Sequence, residues 1–164
     1  MAINEHEVLL TKKGYEQKQK RLEECLHLLH EEIPKRLRIA KSHDGELREN
    51  REYIDIEREK ELLEIEVRRL EELLNEAQII DEESISTDTV GLGSRVILES
   101  GKGKANQIVL ELVSPQEVDL EHNRISTESP LGQLLFGRKK SDKVKLQKGS
   151  GDVTYKIVGI QRGD

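Results

Sequence analysis

The sequence predicts an α+β protein: a long antiparallel coiled-coil helical hairpin, followed by a small, mostly antiparallel β-sheet domain with one short helix. Three observations predict it. Two runs of heptads flank a polar, glycine-containing stretch, "SHDGELREN" (42–50). The heptads stop near residue 80, where the composition shifts to Ser, Thr, Asp and Gly. Beyond residue 93, short alternating apolar runs are separated by turn residues, which is the pattern of strands.

Thr11 is the expected N-cap of the first helix, which runs to about Lys41. Leu22, Leu26, Leu29, Ile33 and Ala40 step by threes and fours, with Arg36 in the remaining slot. This is the a/d seam of a coiled coil. Pro34 interrupts it, but the heptad phase continues beyond, so a kink rather than a stop is expected. In the second helix Tyr53, Ile56, Lys60, Leu63, Val67, Leu70, Leu74 and Ala77 keep the seam, while Leu62, Ile65 and Leu73 lie off it. Two helices of about 30 residues, at ~1.5 Å per residue, make a stalk roughly 45 Å long. A short connection folds them back as an antiparallel hairpin with "HDGE" at the far end.

Residues 1–80 are thus the expected hairpin, with an acidic tip at 43–49; 81–93 form a linker and 94–164 the globular domain. There "RVILE", "NQIVLEL", "RIS", "KVKLQ" and "VTYKIVGI" read as strands. "SPLGQLLFG" reads as a helix of one to two turns, bounded by a Ser cap, a Pro in the first turn and a closing Gly.

Charged residues make up 37% of the chain and aromatics 2%, so any core rests on Leu, Ile and Val. The net charge of −6 argues against binding duplex DNA through bulk electrostatics. The charge is uneven: residues 1–83 hold 23 acidic and 15 basic side chains, residues 84–164 hold 10 and 12. One cysteine, Cys25, excludes an internal disulfide and suits a reducing cytosol. The start shows no signal-peptide pattern, and no stretch approaches the ~20 apolar residues of a membrane span. A soluble, cytoplasmic protein without a membrane partner is expected.

Several clusters invite a chemical reading. "GKGK" (101–104) could cradle phosphate, but it lacks the P-loop spacing and a following helix, so a hairpin turn is expected. His27 and His30, at i,i+3, can share a metal, yet no further ligand set stands near; solvated helix positions are expected. Cys25 adjoins the seam as a small packing residue. "GRKKSDKVK" (137–145) could touch nucleic acid or an acidic partner, or simply be a charged loop and edge strand that resists aggregation. No hydrolase triad or HExxH pattern occurs, so the chain is not expected to be an enzyme by itself.

The tip is the most informative place. Asp44 would cap the second helix, with Glu46 and Glu49 on one face of its first turn. Acidic groups at a helix start are favourable by ~0.3–1 kcal/mol each. A cap needs only one acceptor, however, and here three carboxylates crowd the end of a stalk. Below them Lys35, Arg36, Arg38 and Lys41 form a basic band. An acidic tip over a basic band suits a probe that approaches a polyanion and holds a cation. Mg²⁺ takes hard oxygen ligands, commonly one or two carboxylates plus phosphates and waters. Carboxylates delivered to such a site could complete a two-metal clamp for phosphodiester chemistry.

At these residues the chain resembles the Gre family of bacterial transcript cleavage factors. "GELRENREY" (45–53) is similar to the family's tip motif G-D-L-x-E-N-A-E-Y, and "LLTKKGYEQKQKRLEE" to its opening T-x-x-G and first helix. "EAQIID" resembles the end of its second helix. "ISTESPLGQLLFGRKKSDKVKLQ" (125–147) resembles its carboxyl-terminal signature, I-S-x-x-S-P-L-G-x-A-L-L-G-K-x-x-G-D-x-V.

The resemblance implies an FKBP-like globular domain docking at the rim of the RNA polymerase secondary channel, with the stalk inside the channel. It implies Mg²⁺ held jointly by the tip and the polymerase active site, and cleavage of backtracked RNA at its 3′ end. Carried over, the family's acidic pair falls on Glu46 and Glu49, with Asp44 beside them. Lys35, Arg38, Lys41 and Arg48 are the expected RNA contacts, Glu128, Ser129 and Pro130 the docking loop, and a monomer the expected state. Three departures stand out: Glu46 replaces the family aspartate, Arg51 its alanine, and Glu57 an often basic position. The Glu46 change keeps a second reading open, a factor that occupies the channel without promoting cleavage. A prolyl isomerase would need an aromatic-lined pocket, and the globular domain offers only Phe136 and Tyr155.

Overall fold

The computed structural model describes residues 8–42, 50–101, 106–149 and 151–163. Two compact units emerge, one of residues 15–77 and one of residues 1–14 together with 78–164.

The helical unit contains most of α1 (Lys12–His27), a π-helical turn (Leu28–Glu32), α2 (Ile33–Ser42) and α3 (Arg51–Glu76). The helical path continues through Pro34, as the heptad phase predicts. The device is a π turn in which the Ile33 N–H reaches back to the Leu28 carbonyl. A proline ring clashes with the carbonyl four residues before it and leaves that carbonyl without a donor. Widening the preceding turn relieves that crowding. Cys25, Ile33, Ala40, Ile56, Leu63, Val67 and Leu70 form the buried seam, flanked by Leu22, Leu26, Leu29 and Tyr53. Cys25 is fully buried, and burial pushes its thiol pKa up, so it packs as a small apolar residue and not as a reactive thiolate. Arg21 grips Glu66 through two bonds of 2.8 and 2.9 Å and holds that carboxylate below its usual range. Leu62 and Ile65, off the seam, are exposed.

The second unit holds β1 (Val8–Leu10), which pairs with β2 (Ala77–Ile79), and a five-stranded sheet. The sheet strands are β3 (Ser94–Ser100), β4 (Gln107–Val113), β5 (Arg124–Ser126), β6 (Lys143–Lys148) and β7 (Gly151–Arg162), in the order β5-β4-β3-β7-β6. Within this sheet the pairings are antiparallel except β4 with β5. The short helix α4 (Pro130–Leu135) packs Leu135 into a core with Val96, Leu98, Leu112, Val144 and Ile157. A bulge beside Ile97 and Leu98 sets Gly159 against Ile97 and leaves Val158 outside the register. Inward positions therefore run Tyr155, Ile157, Ile160 instead of a strict alternation.

The stretch expected as a linker, 81–93, is folded against this sheet. Ile85 and Val90 are buried, and Val90 exchanges backbone hydrogen bonds with Gly137 and Arg138. The β3–β4 hairpin forms as read from the sequence; residues 102–105 of its "GKGK" turn lie outside the described residues.

Ser141 adopts φ +77°, a left-handed conformation that costs an L-residue roughly 1–2 kcal/mol. The family signature quoted above carries glycine at this position. Ser141→Gly should stabilise the globular unit by about 0.5–1 kcal/mol, since relief of strain outweighs the added freedom of the unfolded chain. A lowered denaturation midpoint would contradict this assignment.

Candidate functional site

Asp44, Glu46, Arg48 and Glu49 lie outside the described residues; what carries them is well defined. α3 starts at Arg51 with Asn50 as its N-cap, whose side-chain oxygen accepts from the Tyr53 N–H at 3.2 Å. The expectation that Asp44 caps this helix is thereby corrected. Asn50 also donates its amide to the Ala40 carbonyl at 2.9 Å, pinning the incoming helix to the outgoing one. One side chain thus caps α3 and closes the hairpin below the tip. The signal was the Asn of "REN", a residue type favoured at caps.

The basic band divides in two. Lys35 sits 3.4 and 3.7 Å from Glu32 and Glu31, and Arg36 is 2.7 Å from Glu59, so these cations are locally offset. Arg38 donates only to the Pro34 carbonyl among the described residues. Lys41 lies 5.6 Å from the Tyr53 ring centroid, a cation–π contact that keeps its charge unneutralised. Arg38 and Lys41 are therefore the cations left for an anionic ligand. His27 and His30 are exposed, and no group of three metal-ligating side chains occurs among the described residues.

In the globular unit Ser129 organises the predicted docking loop. Its hydroxyl accepts from the Gly132 N–H at 3.0 Å and donates to the Ser126 carbonyl at 2.7 Å, while Pro130 opens α4. A Cβ at Gly132 would stand 2.0 Å from that same carbonyl, so the spacing Ser-Pro-x-Gly is what lets α4 lie against the end of β5. Glu128 and Pro130 are exposed beside an apolar groove of about 390 Å³, whose walls include Val118, Leu120, Ile125, Leu131 and Leu146. Leu120 is 74% exposed, a costly place for leucine unless something covers it. Sequence reading passed over Val118 and Leu120, although two apolar residues in an otherwise polar loop were visible. No aromatic residue lines this groove, and Tyr155 is buried.

A buried polar cluster in the same unit was also missed. Glu117 accepts from the Thr11 backbone N–H at 3.1 Å, from the Thr11 hydroxyl, from Ser114 Oγ at 3.1 Å and from Arg124 at 3.0 Å. Thr11 Oγ1 in turn accepts from the Gly14 N–H at 3.0 Å. This is a capping box in which the carboxylate, ordinarily carried by the third helical residue, comes from 106 residues away. The third helical residue is Gly14, and a Cβ there would fall 1.7 Å from Glu117 Oε1. The Thr-x-x-Gly opening thus has a steric cause.

The comparisons with known proteins agree along the chain. Residues 8–79 match the family profile "Transcription elongation factor, N-terminal", and residues 85–162 match "Transcription elongation factor, GreA/GreB, C-term". The transcription elongation factor GreA of Syntrophomonas wolfei is 35% identical over 158 residues, covering 96% of this chain and 98% of that protein. The GreA of Thermosipho melanesiensis is 36% identical over 157 residues, covering 94% and 96%. Among solved structures, Thermus aquaticus Gfh1 is 31% identical over 95% of this chain and 99% of its own, with a TM-score of 0.44. With both halves matched in order and full-length relatives above 30% identity, the chain belongs to the GreA/GreB family of transcription elongation factors.

Proposed function

We propose that this protein binds RNA polymerase, presents its hairpin tip in the secondary channel and stimulates cleavage of backtracked RNA. The observation that carries the reading is the tip: "GELREN" supplies Glu46 and Glu49 next to the Asn50 that caps α3 and ties it to α2. Carboxylate oxygens are the donor type that Mg²⁺ takes, and Glu46 and Glu49 would hold it jointly with the polymerase. Bound there, the ion supplies charge stabilisation for the oxygens exchanged at a phosphodiester. Arg38 and Lys41 neutralise RNA phosphate, and the Asn50 bond ties α3 to α2. The globular unit, FKBP-like by the family resemblance, docks on the polymerase through the apolar groove, with Glu128, Ser129 and Pro130 at its edge.

The test is a stalled, backtracked elongation complex supplied with Mg²⁺ and the protein. The expected result is transcripts shortened from the 3′ end, lost with Glu49→Ala while polymerase binding persists. Slowed elongation without any shortening would instead establish the second reading, a channel-occupying regulator. The longer Glu46 side chain is the specific feature that favours that outcome.

A further inference from the structure

The segment from Phe136 to Lys145 carries a surface that neither the tip nor the apolar groove uses. Arg138, Lys139, Lys140 and Lys143 are all exposed. Lys156, also exposed, stands directly opposite Lys143 in the β6–β7 register. Like charges facing each other across a ladder destabilise it, and Glu99, opposite Lys156 on the β3 side, offsets only one of the two. The nearby acids offset these cations only in part. Asp142 accepts from the Lys139 backbone N–H at 2.9 Å, and Asp152 holds Lys145 at 2.7 Å. Glu99, across from Lys156 on the β3 side, accepts from Gln107 at 3.2 Å. Among the described residues the side chains of Lys139, Lys140 and Lys143 have no carboxylate partner.

The cations stand on a fixed backbone. Arg138 accepts from Val90 at 2.8 Å, Ser141 donates to Ile157 at 2.7 Å, and Ile157 donates to Asp142 at 2.9 Å. Ordering entropy on binding is correspondingly small. At the entrance to this turn is Phe136, the chain's only phenylalanine, 55% exposed although the core is poor in rings. Lysines on edge strand β6 could serve only to block aggregation, but an exposed phenylalanine opening the segment that leads into β6 works against that purpose. An acidic protein surface would use the cations and leave the ring idle. A duplex hides its base faces. A single strand presents both phosphates for the lysines and a base face for the ring.

We propose that Phe136, Arg138, Lys139, Lys140, Lys143 and Lys156 form a binding site for single-stranded nucleic acid, with phosphates on the cations and a base stacked on the ring. This goes beyond the polymerase reading and is tested without polymerase. Fluorescence anisotropy of labelled twelve-nucleotide oligouridine and oligothymidine is followed as the full-length protein is added in 50 mM salt. Affinity on the order of 10–100 μM is expected, with a log–log salt slope of about −3 for four phosphates. Lys140→Glu with Lys143→Glu should weaken binding at least tenfold and flatten the slope. Phe136→Ala should weaken it roughly fivefold or more and leave the slope unchanged. Either strand type, or RNA above DNA, supports the site when both substitutions act, and the ratio identifies the natural strand. Absence of binding, or binding indifferent to both substitutions, overturns it. So does equal competition by poly-glutamate with Phe136→Ala inert, which would assign the patch to an acidic protein.

Discussion

Glu117→Ala will destabilise the globular unit by about 2–4 kcal/mol. The carboxylate is fully buried and its partner Arg124 is 4% exposed, so truncation removes the nearer of two carboxylates facing that guanidinium and leaves Glu111, at 3.7 Å, to offset it. It also removes the acceptor for the Thr11 N–H and frees two hydroxyls. Hydrogen exchange of the β3, β4 and β7 amides reads this unit directly, whatever the helical unit does. Gly14→Ala provides the cross-check. In the native background its methyl group collides with Glu117, a crowding worth about 1–3 kcal/mol. Once Glu117 is alanine the collision is gone, and Gly14→Ala should be neutral or gain up to about 1 kcal/mol of helix propensity. That change of sign in a double-mutant cycle is specific to the shared capping box. A loss below 1 kcal/mol for Glu117→Ala, or additive effects in the pair, would refute the arrangement.

Glu46→Asp is expected to speed transcript cleavage by roughly ten- to a hundredfold. Glutamate is one methylene longer than the family's aspartate, which is enough to move a ligand oxygen by about an ångström, and misplacement of that order costs ~10²-fold. The comparison uses saturating protein on one backtracked complex, so that the rate reports chemistry and not docking. Equal or slower cleavage by the aspartate variant would mean that the glutamate already reaches, or that Asp44 supplies the shorter carboxylate. Asp44→Asn in both backgrounds separates those two.

The heptad seam was legible because each of its residues repeats one physical demand, burial every three or four positions. Ile56, Leu63, Val67 and Leu70 are buried accordingly. The strands and α4 were legible from alternation and from the Ser-Pro…Gly brackets. Pro34 announced a disturbance of the helix, but a π turn and a kink both accommodate the proline ring and the carbonyl it leaves without a donor, so the sequence did not choose between them. Asn50 was hidden by its surroundings: a more acidic candidate, Asp44, stood next to the glycine and drew the cap assignment. Glu117 and Arg124 were out of reach for a different reason. Nothing local in "SPQEVDL" says that its glutamate will complete a helix cap beginning at Thr11. The groove had the same difficulty, because Val118 and Leu120 gain meaning only when folding brings Leu131 and Leu146 beside them.

The capping box bears on the order in which the chain assembles. Its two halves are separated by the entire helical unit, residues 15–77, so that unit is an excursion inserted into the globular one. Closing so long a loop from a disordered chain is slow, and each halving of its length saves about 0.6 kcal/mol of entropy. Helices with local contacts form early, and a hairpin folded first returns residue 78 close to residue 14 before Glu117 is needed. The hairpin would then act as a splint during folding, and a seam substitution such as Leu63→Ala should slow closure of the sheet in the other unit.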